Sequence, residues 1–219
     1  MSKVILRGLR LILFDLDGTL VDSEDAIVES FRKASELTGV KIDLNKLRSL
    51  LGRPLMDVVK GSLVKDVDEK KLMEYIRIRR RIMNEIWRDR VKLFPDVIPT
   101  LRELKNRGYI LGVASSSTIS RVKEFLEHFG ILHYFDVISG VIEGKIFGKP
   151  RPDTILYAVK KINVEPSKVL YIGDMEVDCI AAINARVRFI RLARKVNDHW
   201  RCKPILTIRS LLELLNILA

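Results

Sequence analysis

Three short, unbroken apolar runs punctuate this chain, and each stops on polar residues. Leu11-Ile12-Leu13-Phe14 ends at Asp15, Ile110 to Ala114 at Ser115-Ser116-Ser117, and Val169 to Ile172 at Gly173-Asp174. Runs of this length without polar alternation predict strands buried on both faces. Val187 to Ile190 predicts a fourth strand and Val137-Ile138 a short fifth. Between them the apolar residues recur at helical spacing. Pro99 to Asn106 precedes Gly108, and Ile119 to Phe129 precedes Gly130 with Thr118 placed as N-cap. Pro152 to Ile162, Val177 to Asn184 and Ser210 to Leu218 follow the same logic. Strands alternating with helices predict an α/β fold, a parallel sheet with helices on both faces.

The region from Asp22 to Arg90 holds no strand pattern. It reads as consecutive helices: Glu24 to Thr38, Leu44 to Leu51, Leu55 to Leu63 and Glu69 to Trp87. The expected architecture is therefore a discontinuous α/β core interrupted by a helical insertion.

Composition narrows the class. With 219 residues, 47% of them apolar, burying a sizeable core is no obstacle. The net charge of +11 points to an anionic partner. The basic residues are dispersed, however, and the densest run, Arg77 to Arg81, reads as the solvated face of an amphipathic helix. With no aromatic RNA-binding cluster and no zinc-finger spacing, nucleic acid is not an expected partner. Lys3, Arg7 and Arg10 precede an apolar run that Asp15 and Asp17 cut short, so neither a signal peptide nor a membrane span is expected. A cytoplasmic protein with free Cys179 and Cys202 is the expectation, with a disulfide between them as the open alternative. Nothing in the sequence sets the oligomeric state.

The candidate chemistry lies where the strands end. In an open parallel sheet, ligands bind beyond the carboxyl ends of the strands. Asp15 and Asp17, Ser115, Asp174 with Asp178, and the loop Gly148-Lys149-Pro150 can converge there. Clustered aspartates repel one another unless a cation sits among them. Oxygen ligands without His or Cys favour Mg²⁺. A carboxylate can form an acyl phosphate, so Asp15 is the candidate nucleophile. Asp17 can protonate the leaving oxygen and then deprotonate a water. Lys149, the Ser115 hydroxyl and nearby backbone N–H groups would hold phosphate oxygens.

The residues Phe14-Asp15-Leu16-Asp17-Gly18-Thr19-Leu20-Val21-Asp22-Ser23, Val113-Ala114-Ser115-Ser116, Gly148-Lys149-Pro150-Arg151-Pro152-Asp153 and Ile172-Gly173-Asp174 with Asp178 form an ordered set. The set resembles the haloacid dehalogenase-like hydrolase superfamily, in its phosphoglycolate phosphatase-like and β-phosphoglucomutase-like branch. The likeness spans nearly the whole chain. It implies a Rossmann-like core from residues 1–21 and 91–219 and a helical cap from 22–90. It implies Asp15 as nucleophile and Asp17 as acid/base. Ser115, Ser116 and Lys149 would bind phosphate. Mg²⁺ would sit on Asp15, the Asp17 main-chain carbonyl and Asp174, with Asp178 ligating or supporting. Met175 and Arg186 depart from the pattern, where Ser and Gly are usual.

The implied activity is Mg²⁺-dependent hydrolysis of a small phosphorylated metabolite. A dehalogenase would have no use for the proton of Asp17. A sugar phosphomutase stays open, although Arg53 follows Gly52 earlier than the mutase pattern has it. Arg53 is the candidate cap contact for substrate. A basic nucleic-acid-binding protein that keeps the fold without the chemistry is the rival from another class.

Overall fold

The computed structural model describes residues 5–194 and 200–218. In chain order these fold into β1 (Leu11–Phe14), β2 (Val21–Asp22), α1 (Glu24–Thr38), α2 (Leu44–Leu50), α3 (Leu55–Ser62), α4 (Glu69–Arg90), β3 (Lys92–Leu93), α5 (Val97–Asn106), β4 (Ile110–Thr118), α6 (Ile119–His128), β5 (Val137–Val141), α7 (Asp153–Ile162), β6 (Val169–Gly173), α8 (Glu176–Asn184), β7 (Arg188–Leu192), β8 (Leu206–Ile208) and α9 (Leu214–Ile217).

Six strands form one sheet in the order β5-β4-β1-β6-β7-β8, and every neighbouring pair is parallel. β1 is flanked by β4 on one side and β6 on the other, so the connections leave it in opposite directions. This is the switch point at which open α/β sheets bind ligands. Register fixes the level of each strand end. Phe14 pairs with Val113 and with Ile172, so Asp15, Ser115 and Asp174 emerge at the same edge.

The alternation along β1 divides the core. Ile12 and Phe14 pack with Leu101, Leu104, Phe125 and Leu214 on one face. Leu11 and Leu13 pack with Ile155, Ala158, Cys179 and Ala181 on the other. Helices α1 to α4 enclose a separate cluster that includes Phe31, Leu47, Val59 and Tyr75. Two of these helices, α2 and α4, start on aspartate caps: the Asp43 carboxylate accepts from Asn45 N and Lys46 N, and that of Asp68 from Lys71 N. The far end of α4 returns to the sheet. Trp87 packs edge-on against Phe125 with ring centroids 4.6 Å apart. The two crossings between sheet and helices, β2 and β3, pair as a short antiparallel ribbon.

Two expectations need correction. Cys179 and Cys202, expected as free thiols, form a disulfide. The Glu176 carboxylate accepts from the backbone N–H groups of Arg201 and Cys202, which holds the returning segment against α8. The basic run of α4 is not uniformly solvated either: Arg79 turns inward, as described below. Arg186 takes φ 57°, the left-handed backbone that glycine adopts freely and that crowds the Cβ of any other residue. No helix among the described residues is long and apolar enough to cross a membrane.

Candidate active site

Asp15 continues β1, and its N–H donates to Ile172 O at 2.8 Å. The chain then turns tightly, with Gly18 N donating to Val21 O. Gly18 has φ 78°, and a Cβ there would lie 2.2 Å from Asp174 Oδ2. Only glycine lets this turn close onto the β6 loop. The next side chain uses the proximity: Thr19 Oγ1 donates to Asp174 Oδ1 at 3.0 Å. The Asp17 carboxylate is held by two hydroxyls, Ser23 at 2.6 Å and Ser117 at 3.3 Å.

β4 supplies the serines, where its pairing with β5 shifts register between Ala114 and Thr118. Such irregularity re-aims side chains at a strand end. Ser115 is buried, and its Oγ accepts from Ser117 N at 3.1 Å. Ser116 is engaged differently from Ser115. Its Oγ donates to Gly52 O at 2.7 Å and accepts from Lys149 N at 3.0 Å. It therefore ties the loop between α2 and α3 to the loop carrying Lys149.

Lys149 is the electrostatic centre. It is wholly buried. Its Nζ lies 2.7 Å from Asp15 Oδ1 and 2.5 Å from Asp178 Oδ1, with Tyr171 OH at 3.2 Å. The Tyr171 hydroxyl also lies 3.0 Å from Asp178 Oδ1. The other Asp178 oxygen accepts from Met175 N. Asp178 is thus committed on both oxygens, which suits a supporting part better than direct ligation.

Burial raises the Asp15 carboxyl well above its usual range. Lys149 opposes this, while Asp178 and Asp174 add to it. The Asp174 carboxyl is pushed up to about 7, by burial first and by Asp178 second. Burial alone would lower the Lys149 ammonium, but Asp15 and Asp178 outweigh it and hold the group above its ordinary value. Carboxylates this close need positive charge beyond one lysine. Asp15, Asp174 and Asp178 each offer an oxygen, all within 4.8 Å of one another. Asp15 Oδ1, buried, accepts no hydrogen bond of good geometry, although Lys149 stands beside it. An all-oxygen donor set with excess negative charge fits a hard divalent cation.

The family model described as haloacid dehalogenase-like hydrolase matches residues 12–192. The chain belongs to that family. This hydrolase is 30% identical, over 87% of its length, to the pyrophosphatase PpaX of Oceanobacillus iheyensis, of which the match covers 86%. It is 29% identical over 90% of its length to the phosphoglycolate phosphatase of Aquifex aeolicus, of which 93% is covered. Among solved structures, a predicted phosphoglycolate phosphatase from Haemophilus somnus 129pt superposes with a TM-score of 0.86. That match is at 26% identity and covers 97% of this chain and 99% of the other.

All seven residues expected in the hydrolase core, Asp15, Asp17, Ser115, Ser116, Lys149, Asp174 and Asp178, lie at the same sheet edge. Arg53 follows Gly52, the residue docked on Ser116, and its buried Nε has no hydrogen-bond partner. Sequence reasoning missed Tyr171, hidden as one apolar position of a strand. It also missed Arg79, whose guanidinium lies 4.7 Å from the Phe31 ring centroid and whose Nε is likewise sealed without a partner. Burial lowers the Arg79 guanidinium to about 10, against an opposing pull from Asp17. A signal existed: Tyr75, Ile76, Ile82 and Met83 are buried on α4, and position 79 falls on their stripe.

Proposed function

We propose that this hydrolase is a Mg²⁺-dependent phosphatase that cleaves small phosphate monoesters through an aspartyl-phosphate on Asp15. The observation that carries the reading is the buried Lys149–Asp15 contact beside Asp174. It sets a carboxylate, a fixed cation and a cation-binding carboxylate at one strand edge.

Mg²⁺, held by Asp15, Asp174 and the Asp17 main-chain carbonyl with Asp178 in support, would offset the repulsion between phosphate and the attacking carboxylate. The rest is the work of the chain. Ser115 and Lys149 hold phosphoryl oxygens, and Ser116 fixes the loops around them. An Asp15 oxygen attacks phosphorus, the ester P–O bond breaks, and Asp17 passes its proton to the leaving oxygen. Asp17 then takes a proton from the water that attacks the acyl phosphate, so that inorganic phosphate leaves and Asp15 is restored.

The helices of residues 22–90 act as a cap over this edge, which limits substrates to small metabolites and holds bulk solvent away from the transferring phosphoryl group until the leaving group departs. Arg53 and Arg79 lie on that cap with unsatisfied Nε groups. Pyrophosphate and phosphoglycolate, the substrates named by the relatives, both carry a second anion on the leaving side. A small diacidic substrate suits these two arginines.

The test is phosphate release from p-nitrophenyl phosphate. Release should require Mg²⁺, vanish in EDTA and be inhibited by Ca²⁺, which takes more ligands at longer distances. Full activity in EDTA, or no release in any metal, sinks the reading. In the latter case, a salt-dependent shift of labelled DNA or RNA would favour the binding-protein alternative.

A further inference from the structure

Arg194 follows β7, far in sequence from Asp15 and the turn that carries Thr19. Its guanidinium nevertheless reaches the catalytic turn. Nη2 donates to Thr19 O at 2.9 Å and to Asp96 Oδ1 at 2.8 Å, while Nη1 donates to Asp96 Oδ2 at 3.1 Å. The guanidinium carbon stands 3.7 Å from the Phe94 ring centroid. Its Nε is buried without a partner, so the terminal nitrogens alone make these bonds.

The anchor is itself fixed. Asp96 Oδ2 also accepts from Ser210 Oγ at 2.8 Å and Leu211 N at 2.9 Å. Phe94 N donates to Leu20 O, next to the β2–β3 ribbon where the chain passes between sheet and helices. Arg194 therefore joins both crossings of that passage at their base.

The consequence runs through one more residue. Arg194 holds the carbonyl of Thr19, and the hydroxyl of the same Thr19 holds Asp174 Oδ1 at 3.0 Å. Gly18, packed on Asp174 with no room for a Cβ, leaves that carboxylate little freedom on the turn side. We propose that Arg194 is a positioning residue: by pinning the Thr19 backbone it sets the Asp174 carboxylate for a divalent cation. The proposal rests on the metal reading above. It needs arginine specifically. A planar fork serves both Asp96 oxygens and the Thr19 carbonyl at once, whereas an ammonium cannot reproduce the paired geometry.

The intact protein and its R194M, R194K and D96N variants are titrated with Mn²⁺ by electron paramagnetic resonance. Mg²⁺ affinity follows from competition, and the melting temperature of each metal-free variant is recorded. R194M should weaken Mg²⁺ binding at least tenfold and R194K by a smaller factor. D96N keeps an arginine able to reach Thr19. It should weaken Mg²⁺ clearly less than R194M even where it lowers the melting temperature as much. A merely structural ion pair predicts instead that Mg²⁺ affinity follows melting temperature across the three variants, and that result overturns the proposal. So does an R194M protein whose Mg²⁺ affinity stays within twofold of wild type. If R194M does not fold, R194K decides by the same comparison. Wild-type protein that binds no more Mn²⁺ than D174N overturns the metal reading and the proposal together.

Discussion

The Nζ of Lys149 stands 2.7 Å from Oδ1 of Asp15, and both side chains are sealed from water. The lysine does not neutralise its neighbourhood. Burial, Asp178 and Asp174 together keep the Asp15 carboxyl raised despite it. Charge on Asp15 is thus costly in the metal-free protein, as expected of a group arranged to react rather than to stabilise. Asp15→Asn removes that charge with little change in shape, while Lys149 keeps Asp178. Turnover should fall at least a thousandfold, ~4 kcal/mol of barrier. The metal-free variant should melt at or above the wild-type temperature. More than a tenth of wild-type turnover would mean that Asp15 is not the nucleophile.

Much of this site was legible because buried strands leave a coarse mark. Leu11 to Phe14, buried at every position, could be read without a structure, and so could the aspartates that end it. The helix start at Thr118 was legible because the cap is a local bond between a side chain and the next turn. The β2–β3 ribbon was not legible, since two residues per strand show no period. The three-residue β8 at the sheet edge escaped for the same reason. Arg79 was misread because its charge outweighed its position on an apolar stripe. Asp96 and Arg194 are 98 residues apart, and no pattern in one sequence joins them.

On the reading proposed above, Arg53 and Arg79 meet the leaving side of the substrate. A cation that binds a remote anion equally in ground and transition states changes KM more than kcat. Arg53→Ala should therefore raise KM for a small acidic phosphate ester such as phosphoglycolate by tenfold or more. The rise for p-nitrophenyl phosphate should be much smaller. Arg79→Ala should change the same ratio in the same direction. Equal losses on both substrates, or ready hydrolysis of a phosphoprotein, would contradict a cap built for small diacids.

The Cys179–Cys202 bridge closes a sequence separation of 23 residues. Chain-entropy arguments give a loop of that size about 3 kcal/mol, which for a protein of this length is about 6–12 °C in melting temperature. Thiol titration of the unfolded, unreduced protein should find no free thiol. The Cys179→Ala/Cys202→Ala double variant should melt lower by that amount. Two titratable thiols before reduction, or an unchanged melting temperature, would remove the bridge from the account of stability.

Asp96 offers a stability test that varies with pH. It is 7% exposed. Burial works to raise its carboxyl, but Arg194, the Leu211 N–H and Ser210 outweigh it and hold the group below its usual value. The sign follows from proton binding. An unfolded aspartate takes up its proton near pH ~3.9, whereas the folded one resists until the pH is lower. Between those values the unfolded chain binds more protons, so stability rises with pH. The contribution is complete above the unfolded value and is lost as pH falls through the folded one. Asp96→Asn strips the charge and leaves Arg194 buried without its counter-ion, a loss of about 3–5 kcal/mol for pairs of this kind. The wild-type advantage over Asp96→Asn should therefore be flat from pH 7 to pH 5 and shrink steadily below pH 4. Other carboxylates titrate alike in both proteins, so the difference isolates this one. An advantage that stays constant down to pH 2.5 would show that the Asp96 charge contributes nothing to the fold.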